Sequence, residues 1–263
     1  MRHQIKALIA RPLVGAVLAG LVAGLLLTAA PPAMAADDPL NPLIRQRLHN
    51  PRLGTDVALL VIDAASGFVL ASHKAKAMKL PASNMKLVTA VTALTALGTE
   101  AKFTTRVRAG ATPGDVILQG GGDPLMSNLD LKDLAGQTAK QLTGTTAPGQ
   151  SVVVHVDDTL FAPATDGPGW TAGYVPSVVS PVSALARIND YRPNPAALAA
   201  KTFADDLTAL GISSTVGAPV KADDAAATLA QSAGHTATQA VARMLSVSEN
   251  NIAEVLFRQV ARA

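Results

Sequence analysis

LPASNMKLVTAVTALTAL, residues 80–97, is the best-delimited helical stretch of the chain. Its apolar residues recur at helical spacing from Ser83 to Leu97, with Pro81 just ahead and Gly98 just behind. The spacing predicts a helix over residues 83–97, and its apolar character on most faces predicts a central, buried position. On such a helix, Ser83 and Lys86 lie on one face of the first turn, where the amine can reach the hydroxyl.

This pair has the chemistry of an activated nucleophile. A serine hydroxyl attacks a carbonyl only when a base takes its proton, and a lysine in a water-poor pocket has a lowered pKa that suits it to that task. The start of the helix adds a field that favours an alkoxide at Ser83 and disfavours a charged Lys86. The alternative is an ordinary surface pair, although no other Ser-x-x-Lys occurs in the sequence.

Ser248-Glu249-Asn250 is the second candidate group and lies between two helical patterns. A serine and an asparagine two positions apart in a turn can point into one cleft. Ser248 could relay a proton, and Asn250 could hold both the Lys86 side chain and a substrate carbonyl. The alternative is that Ser248 and Asn250 simply cap the last helix.

The rest of the chain predicts an α+β organisation. Residues 56–63 and 68–73 form an antiparallel hairpin, and residues from about Ala101 to Gly234 form a compact unit of short strands and helices. The helical pattern returns from Ala237 to the last residue. Within the compact unit, strands are predicted over 103–109, 115–119, 151–156 and 212–216, and helices over 129–142 and 195–210.

Residues 1–35 have the pattern of an export signal. A basic start precedes an apolar run from Leu13 to Ala30, and Ala33-Met34-Ala35 matches the small-x-small site that signal peptidase cuts. We expect cleavage before Ala36 and export to the periplasm or the extracellular cell-wall space. Membrane association is expected only if the apolar run stays uncleaved as an anchor. The chain has no cysteine, so disulfides and thiolate sites are excluded.

The net charge of +3 comes from the signal segment. Residues 1–35 contain three of the 22 Lys and Arg and no acid, so residues 36–263 carry equal numbers of basic and acidic residues. A neutral domain gives no electrostatic case for nucleic acid as a partner.

The ordered set of motifs resembles one known family. Residues 81–86, Gly120-Gly121-Gly122-Asp123-Pro124, residues 156–161, 180–185 and 248–254 are similar to the D-alanyl-D-alanine carboxypeptidase/endopeptidase family of class C penicillin-binding proteins. The similarity spans nearly all of residues 36–263 in the right order.

The resemblance implies a β-lactamase/transpeptidase-like α+β domain, here incomplete, with an α+β insertion between its first and second motifs. Its parts would be residues 36–100 and 235–263, with the insertion at 101–234. It also implies that Ser83 is the nucleophile, Lys86 the base, and that Ser248 and Asn250 support proton transfer and substrate. Peptidoglycan stem peptides would be the substrates and β-lactam antibiotics the inhibitors, with no cofactor and no metal.

The chain departs from the family pattern after Asn250, where no Lys-Thr-Gly or His-Thr-Gly follows. Lys201-Thr202 precedes the second motif and continues into Phe203, so it is no substitute. We therefore expect a C-terminally truncated chain that is poorly active when isolated. A β-lactamase-like hydrolase and a non-catalytic remnant or wall-binding protein remain as alternatives.

Three weaker patterns have two interpretations each. Gly120–Gly122 could bind phosphate but is better explained as a tight turn, since no Gly-Lys-Ser/Thr follows. His155 with Asp157 and Asp158 could suggest a metal site, although a structural strand end is favoured. Trp170 with Tyr174 could stack on a sugar or anchor a loop.

Overall fold

The computed structural model describes residues 40–143, 151–161 and 169–263. By internal contacts the chain divides into one unit that reaches Leu80 and a second that runs from Pro81 to Ala263. The predicted signal peptide, residues 1–35, lies outside the described residues. Within the described ranges, no helix combines the length and the apolar character that crossing a membrane requires.

The first unit contains a short helix and a hairpin. Helix α1 is Leu40–Leu48, and strands β1 (Leu59–Ile62) and β2 (Val69–His73) pair antiparallel. In the turn between the strands, Ser66 N–H donates to Asp63 Oδ1 at 2.7 Å. The hairpin predicted from residues 56–73 is therefore confirmed.

The second unit alternates strands and helices. Its helices are α2 (Met85–Leu97), α3 (Asn128–Leu142), α4 (Pro195–Ala209), α5 (Ala237–Val247) and α6 (Asn250–Val260). Its strands are β3 (Lys102–Phe103), β4 (Arg106–Ala109), β5 (Asp115–Gln119), β6 (Val152–Asp157), β7 (Ser214–Val216), β8 (Thr228–Gln231) and β9 (His235–Thr236).

A five-stranded sheet organises the larger part of this unit, in the order β7-β6-β5-β4-β8. Strands β5, β6 and β7 run parallel, whereas β4 is antiparallel to both of its neighbours, β5 and β8. Helices α3 and α4 cover one face of this sheet, to which alternate apolar side chains of its strands point. The core between the layers includes Val107, Leu118, Val154, Leu134 and Phe203, all fully buried or nearly so.

A second core forms where α2 packs on α5 and α6. Lys86, Ala90 and Ala93 are the buried residues of α2, whereas Met85, Val88 and Val91 are 51%, 56% and 67% exposed. The prediction of a central, buried helix is therefore wrong for one face. An apolar sequence on most faces does not show which faces have neighbours, and α5 and α6 cover only the side that carries Lys86.

The observed bounds of the helices and strands agree with those predicted from the sequence except at a few positions. Residues 82–84 form a 3-10 turn, so α2 starts at Met85 and not at Ser83. Strands β8 and β9 were not predicted. The predicted domain boundaries, 36–100, 101–234 and 235–263, stay a prediction.

Gly120–Gly122 link the sheet to helix α6. Their three N–H groups donate to Asp157 O at 2.9 Å, Thr105 Oγ1 at 3.3 Å and Ala184 O at 2.8 Å. The Gln259 side chain of α6 donates to the carbonyls of Gly121 and Gly122. The phosphate-loop alternative is wrong, because these N–H groups already have protein acceptors.

Gly121→Ala is expected to destabilise the fold by about 1–3 kcal/mol, as overpacking does. A Cβ at this position would meet the backbone carbonyl of Thr104, and backbone on both sides leaves little room to shift. Chemical denaturation followed by circular dichroism measures the change.

Gly136→Ala is the matched control for this substitution. Gly136 lies within α3, and a Cβ there would meet no atom within 4 Å. Alanine in an open helical position should stabilise by roughly 0.5–1 kcal/mol. Equal effects of the two substitutions would contradict a close approach at Gly121.

Candidate active site

Ser83 lies in the 3-10 turn Ala82–Asn84, directly before α2. The preceding Ala82 has φ of 45°, a left-handed conformation that is unfavourable for a residue with a Cβ. Such conformations cost about 1–3 kcal/mol and concentrate at functional sites. Ser83 itself is exposed, so its hydroxyl is accessible to a ligand.

Lys86 is buried and connects the two sequence motifs. Its Nζ donates to Asn250 Oδ1 at 2.6 Å and lies 3.4 Å from Ser83 Oγ. Burial lowers the pKa of Lys86, and the negative charge of Glu249 opposes that change. The amine therefore loses its proton more readily than an exposed lysine and lies within reach of the serine hydroxyl.

The turn Ser248-Glu249-Asn250 places the second motif. Ser248 ends α5 in the left-handed conformation, with φ of 60°. The Glu249 side chain accepts from the Asn251 N–H and caps α6. Asn250 then starts α6 with both ends of its amide engaged, because its Nδ2 donates to Val178 O at 3.1 Å. The amide orientation follows from these two bonds.

The structure therefore brings Ser83, Lys86 and Asn250 together. The Ser248 hydroxyl is exposed and makes no hydrogen bond to Ser83 or Lys86 within the described residues. A proton relay through Ser248 stays a prediction. The alternative that Ser248 and Asn250 merely cap the last helix is wrong, since Glu249 occupies the capping position.

Tyr191 and Glu249 are site residues that the sequence analysis missed. The Tyr191 hydroxyl lies 2.8 and 2.7 Å from the two Glu249 carboxylate oxygens and donates to this carboxylate. Burial and the bond to Glu249 raise the pKa of Tyr191 to about 12. Glu249 stands between two predicted residues and could have been found there, whereas no sequence signal points to Tyr191.

Several side chains anchor the segment around Trp170 to α6. Trp170 Nε1 donates to Glu254 Oε1 at 2.8 Å, and the Tyr174 ring packs edge-on against Trp170 at 5.6 Å. Asn251 Nδ2 donates to Ser180 Oγ, and Ser180 N–H donates back to Asn251 Oδ1. These contacts support the loop-anchor interpretation of Trp170 and Tyr174.

Comparison with known families gives the context for this arrangement. A profile of the D-Ala-D-Ala carboxypeptidase 3 (S13) family matches residues 40–191 and 172–263. The chain belongs to the S13 family. Ser83, Lys86, Ser248 and Asn250 all lie within the matched residues.

Two curated proteins illustrate the S13 relationship. A D-alanyl-D-alanine carboxypeptidase of Actinomadura sp. (strain R39) is 39% identical over 124 residues, which are 43% of this chain and 22% of that protein. A carboxypeptidase of Mycobacterium tuberculosis is 29% identical over 239 residues, 81% of this chain and 50% of that protein. The chain therefore spans half or less of the length of these relatives.

A solved structure supports the fold. Penicillin-binding protein 4 of Haemophilus influenzae superposes with a TM-score of 0.60 at 20% identity, over 77% of this chain and 61% of that one. The S13 chain thus has the α+β, transpeptidase-like fold that the sequence analysis predicted.

Proposed function

We propose that this protein is a serine-type D-Ala-D-Ala carboxypeptidase or endopeptidase that cleaves peptidoglycan stem peptides and is acylated by penicillins. One observation carries the proposal. Lys86 Nζ lies within hydrogen-bond reach of both Ser83 Oγ and Asn250 Oδ1, although the two motifs are 164 residues apart. Membership of the S13 family and the names of its relatives support the substrate class.

The proposed reaction has two steps. Neutral Lys86 takes the proton of Ser83, and Ser83 Oγ forms a bond to the peptide carbonyl carbon. The C–N bond then breaks, and the leaving amine of D-alanine receives the proton. Water hydrolyses the resulting ester and regenerates the serine. The lowered pKa of Lys86 serves this chemistry, because a larger fraction of the amine is neutral at a given pH.

A penicillin would enter the same first step. Its strained ring carbonyl replaces the peptide carbonyl, and opening of the ring leaves an ester on Ser83 that water removes slowly. The adduct therefore accumulates even when acylation is slow, which makes it a sensitive measure of the proposed chemistry.

The intact mass of the protein, purified from its own cells after penicillin treatment, tests the proposal. One penicillin adduct that maps to Ser83 supports it. No adduct would favour the non-catalytic alternative, and rapid penicillin turnover would favour a β-lactamase-like hydrolase.

Export is part of the proposal, since stem peptides lie in the cell wall. The basic start, apolar run and small-x-small site of residues 1–35 support it. The same intact-mass measurement tests this, because a cleaved protein begins at Ala36. Retention of residues 1–35 would contradict cleavage.

Glu249→Gln is expected to shift the pH profile of penicillin acylation to lower pH. The Glu249 charge raises the pKa of Lys86, so its removal lets the amine become neutral at a lower pH. Acylation rises with pH as Lys86 loses its proton, and the midpoint of that rise follows the pKa of Lys86. Acylation rates measured across the pH range give this midpoint.

Glu100→Gln is the matched control, because it makes the same charge change at an exposed position beyond the other end of α2. Its midpoint should equal that of the unmodified protein. A Glu249→Gln profile that stays in place or moves to higher pH would contradict the assigned role of Glu249.

A further inference from the structure

The five-stranded sheet has one face that α3 and α4 do not cover. Arg106 and Arg108 of β4 point to this face, because Val107 between them is buried in the core with α3 and α4. In register beside Arg106 are Gln119 of β5 and Gln231 of β8. The part of the uncovered face around Arg106 is therefore polar, and β4 makes it basic.

A cavity of about 480 Å³ opens on this uncovered face, within the second unit. Two carboxylates, Asp157 and Asp224, lie in its lining. Five cationic side chains line it as well: Lys102, Arg106, Arg108, Lys221 and Arg262. The excess of positive charge is local, since residues 36–263 carry equal numbers of basic and acidic residues.

Within the described part of the chain, the five cations have no acidic partner at salt-bridge distance. Among the described residues, none of them lies within 4.0 Å of a side-chain carboxylate oxygen. Cations elsewhere in the second unit do pair, as Arg187 and Arg192 do with Asp190. Unpaired cations concentrated in a concave site raise the local potential for an anion.

Asp157, the buried carboxylate of the cavity, forms no ion pair with these cations among the described residues. Its two oxygens accept from Thr159, Gln119 and the Ala222 N–H, at distances between 2.7 and 3.2 Å. Burial acts to raise the pKa of Asp157, but these hydrogen bonds outweigh it and lower the pKa. Neutral donors thus satisfy this carboxylate, and the hydrogen bonds of Arg108 and Arg262 go to the neutral acceptors Gln119, Ala226, Thr228 and Leu160.

The hydrogen-bond donors that the cavity offers to a ligand are of two kinds, guanidinium and ammonium, and come from several elements. In the described part of the chain, Arg106 uses only Nε, which donates to Gln231 Oε1 at 3.0 Å. Its remaining guanidinium N–H groups and the ammonium groups of Lys102 and Lys221 come from two strands and a loop. A tetrahedral phosphate accepts from several directions, whereas a planar carboxylate suits donors in one plane.

We propose that this cavity binds an anionic ligand that carries several phosphate groups. Free oligophosphates and phosphodiester polymers share this chemistry. The site is separate from Ser83 and Lys86. Gln259, which lines it, lies near the end of α6, and Asn250 lies at the start, roughly 14 Å apart at 1.5 Å per helical residue.

Calorimetric titration of the purified protein at low salt tests this proposal without any activity assay. The probes are inorganic tripolyphosphate and a short glycerol-phosphate oligomer. Binding of at least one is expected, weakening as salt screens the charges. Tighter binding of tripolyphosphate identifies a free oligophosphate as the ligand, and tighter binding of the oligomer identifies a phosphodiester polymer.

The double variant Arg106→Gln/Lys221→Gln removes two lining cations and should weaken binding about tenfold or more. The control Lys140→Gln/Lys201→Gln makes the same charge change on α3 and α4, which cover the opposite face. It should bind within about twofold of the unmodified protein. The proposal would be overturned if neither probe binds, if the two double variants lose affinity equally, or if citrate binds more tightly than tripolyphosphate.

Discussion

Ser83→Ala is expected to abolish covalent labelling by penicillin. In the proposed reaction, the Ser83 hydroxyl, which lies 3.4 Å from Lys86 Nζ, is the atom that forms the ester. Alanine leaves the turn and Lys86 in place but provides no nucleophile. Loss of a nucleophilic serine in a hydrolase reduces the rate by roughly a million-fold, so no adduct should form within any practical incubation.

Intact mass after long incubation with excess penicillin is the measurement for Ser83→Ala, because a slowly hydrolysed adduct accumulates. Ser246→Ala is the matched control: Ser246 is exposed on α5, and its hydroxyl donates to the Arg243 carbonyl. This control should label like the unmodified protein. An adduct on Ser83→Ala, mapped to another residue, would assign the nucleophile elsewhere.

Lys86→Arg should lower the rate of acylation by roughly 10²- to 10⁴-fold, the usual contribution of a general base. The guanidinium can still donate to Asn250 Oδ1, so the link between the two motifs can persist. However, a guanidinium has a much higher pKa than an ammonium group, so it stays protonated and cannot act as a base. The variant separates the positive charge of Lys86 from its ability to take a proton.

The second-order rate of penicillin acylation, measured across pH, tests the Lys86→Arg prediction. The unmodified protein should accelerate as pH rises, and the variant should be slow and flat. Lys140→Arg makes the same exchange at an exposed position on α3 and should change nothing. A Lys86→Arg rate within tenfold of the unmodified rate would rule out Lys86 as the base.

Local signals predicted the elements that have strong boundaries. Helix α2 ends at Leu97 and is followed by Gly98, which has φ of 87°, and α4 starts at Pro195 behind the capping Asn194. Strand β9 is two residues long and has no periodicity to detect. Strand β8 is defined by its pairing with Arg106–Arg108, more than a hundred residues earlier, and no local pattern encodes such a partner.

The candidate site shows the same contrast between local signals, which the sequence reveals, and long-range contacts, which it does not. The three-residue spacing of Ser83 and Lys86 predicts their proximity, and Ser248-Glu249-Asn250 is predicted as a site segment because it matches the Ser-x-Asn motif that follows Ser-x-x-Lys. Tyr191 contacts Glu249 from 58 positions away, and Val178 contacts Asn250 from 72. These partners depend on how the chain folds back on itself, which spacing alone does not specify.

The bond between Lys86 and Asn250 also has a consequence for folding kinetics. It closes a loop of 164 residues, and the entropy lost in closing so long a loop is recovered only when the intervening elements have packed. A partly folded chain therefore holds Lys86 in water, with the pKa of an ordinary lysine and no pocket to lower it. If Ser83 reacts as proposed, its activation by Lys86 comes at the end of folding, and the fraction of molecules that penicillin labels measures the fraction that has folded completely.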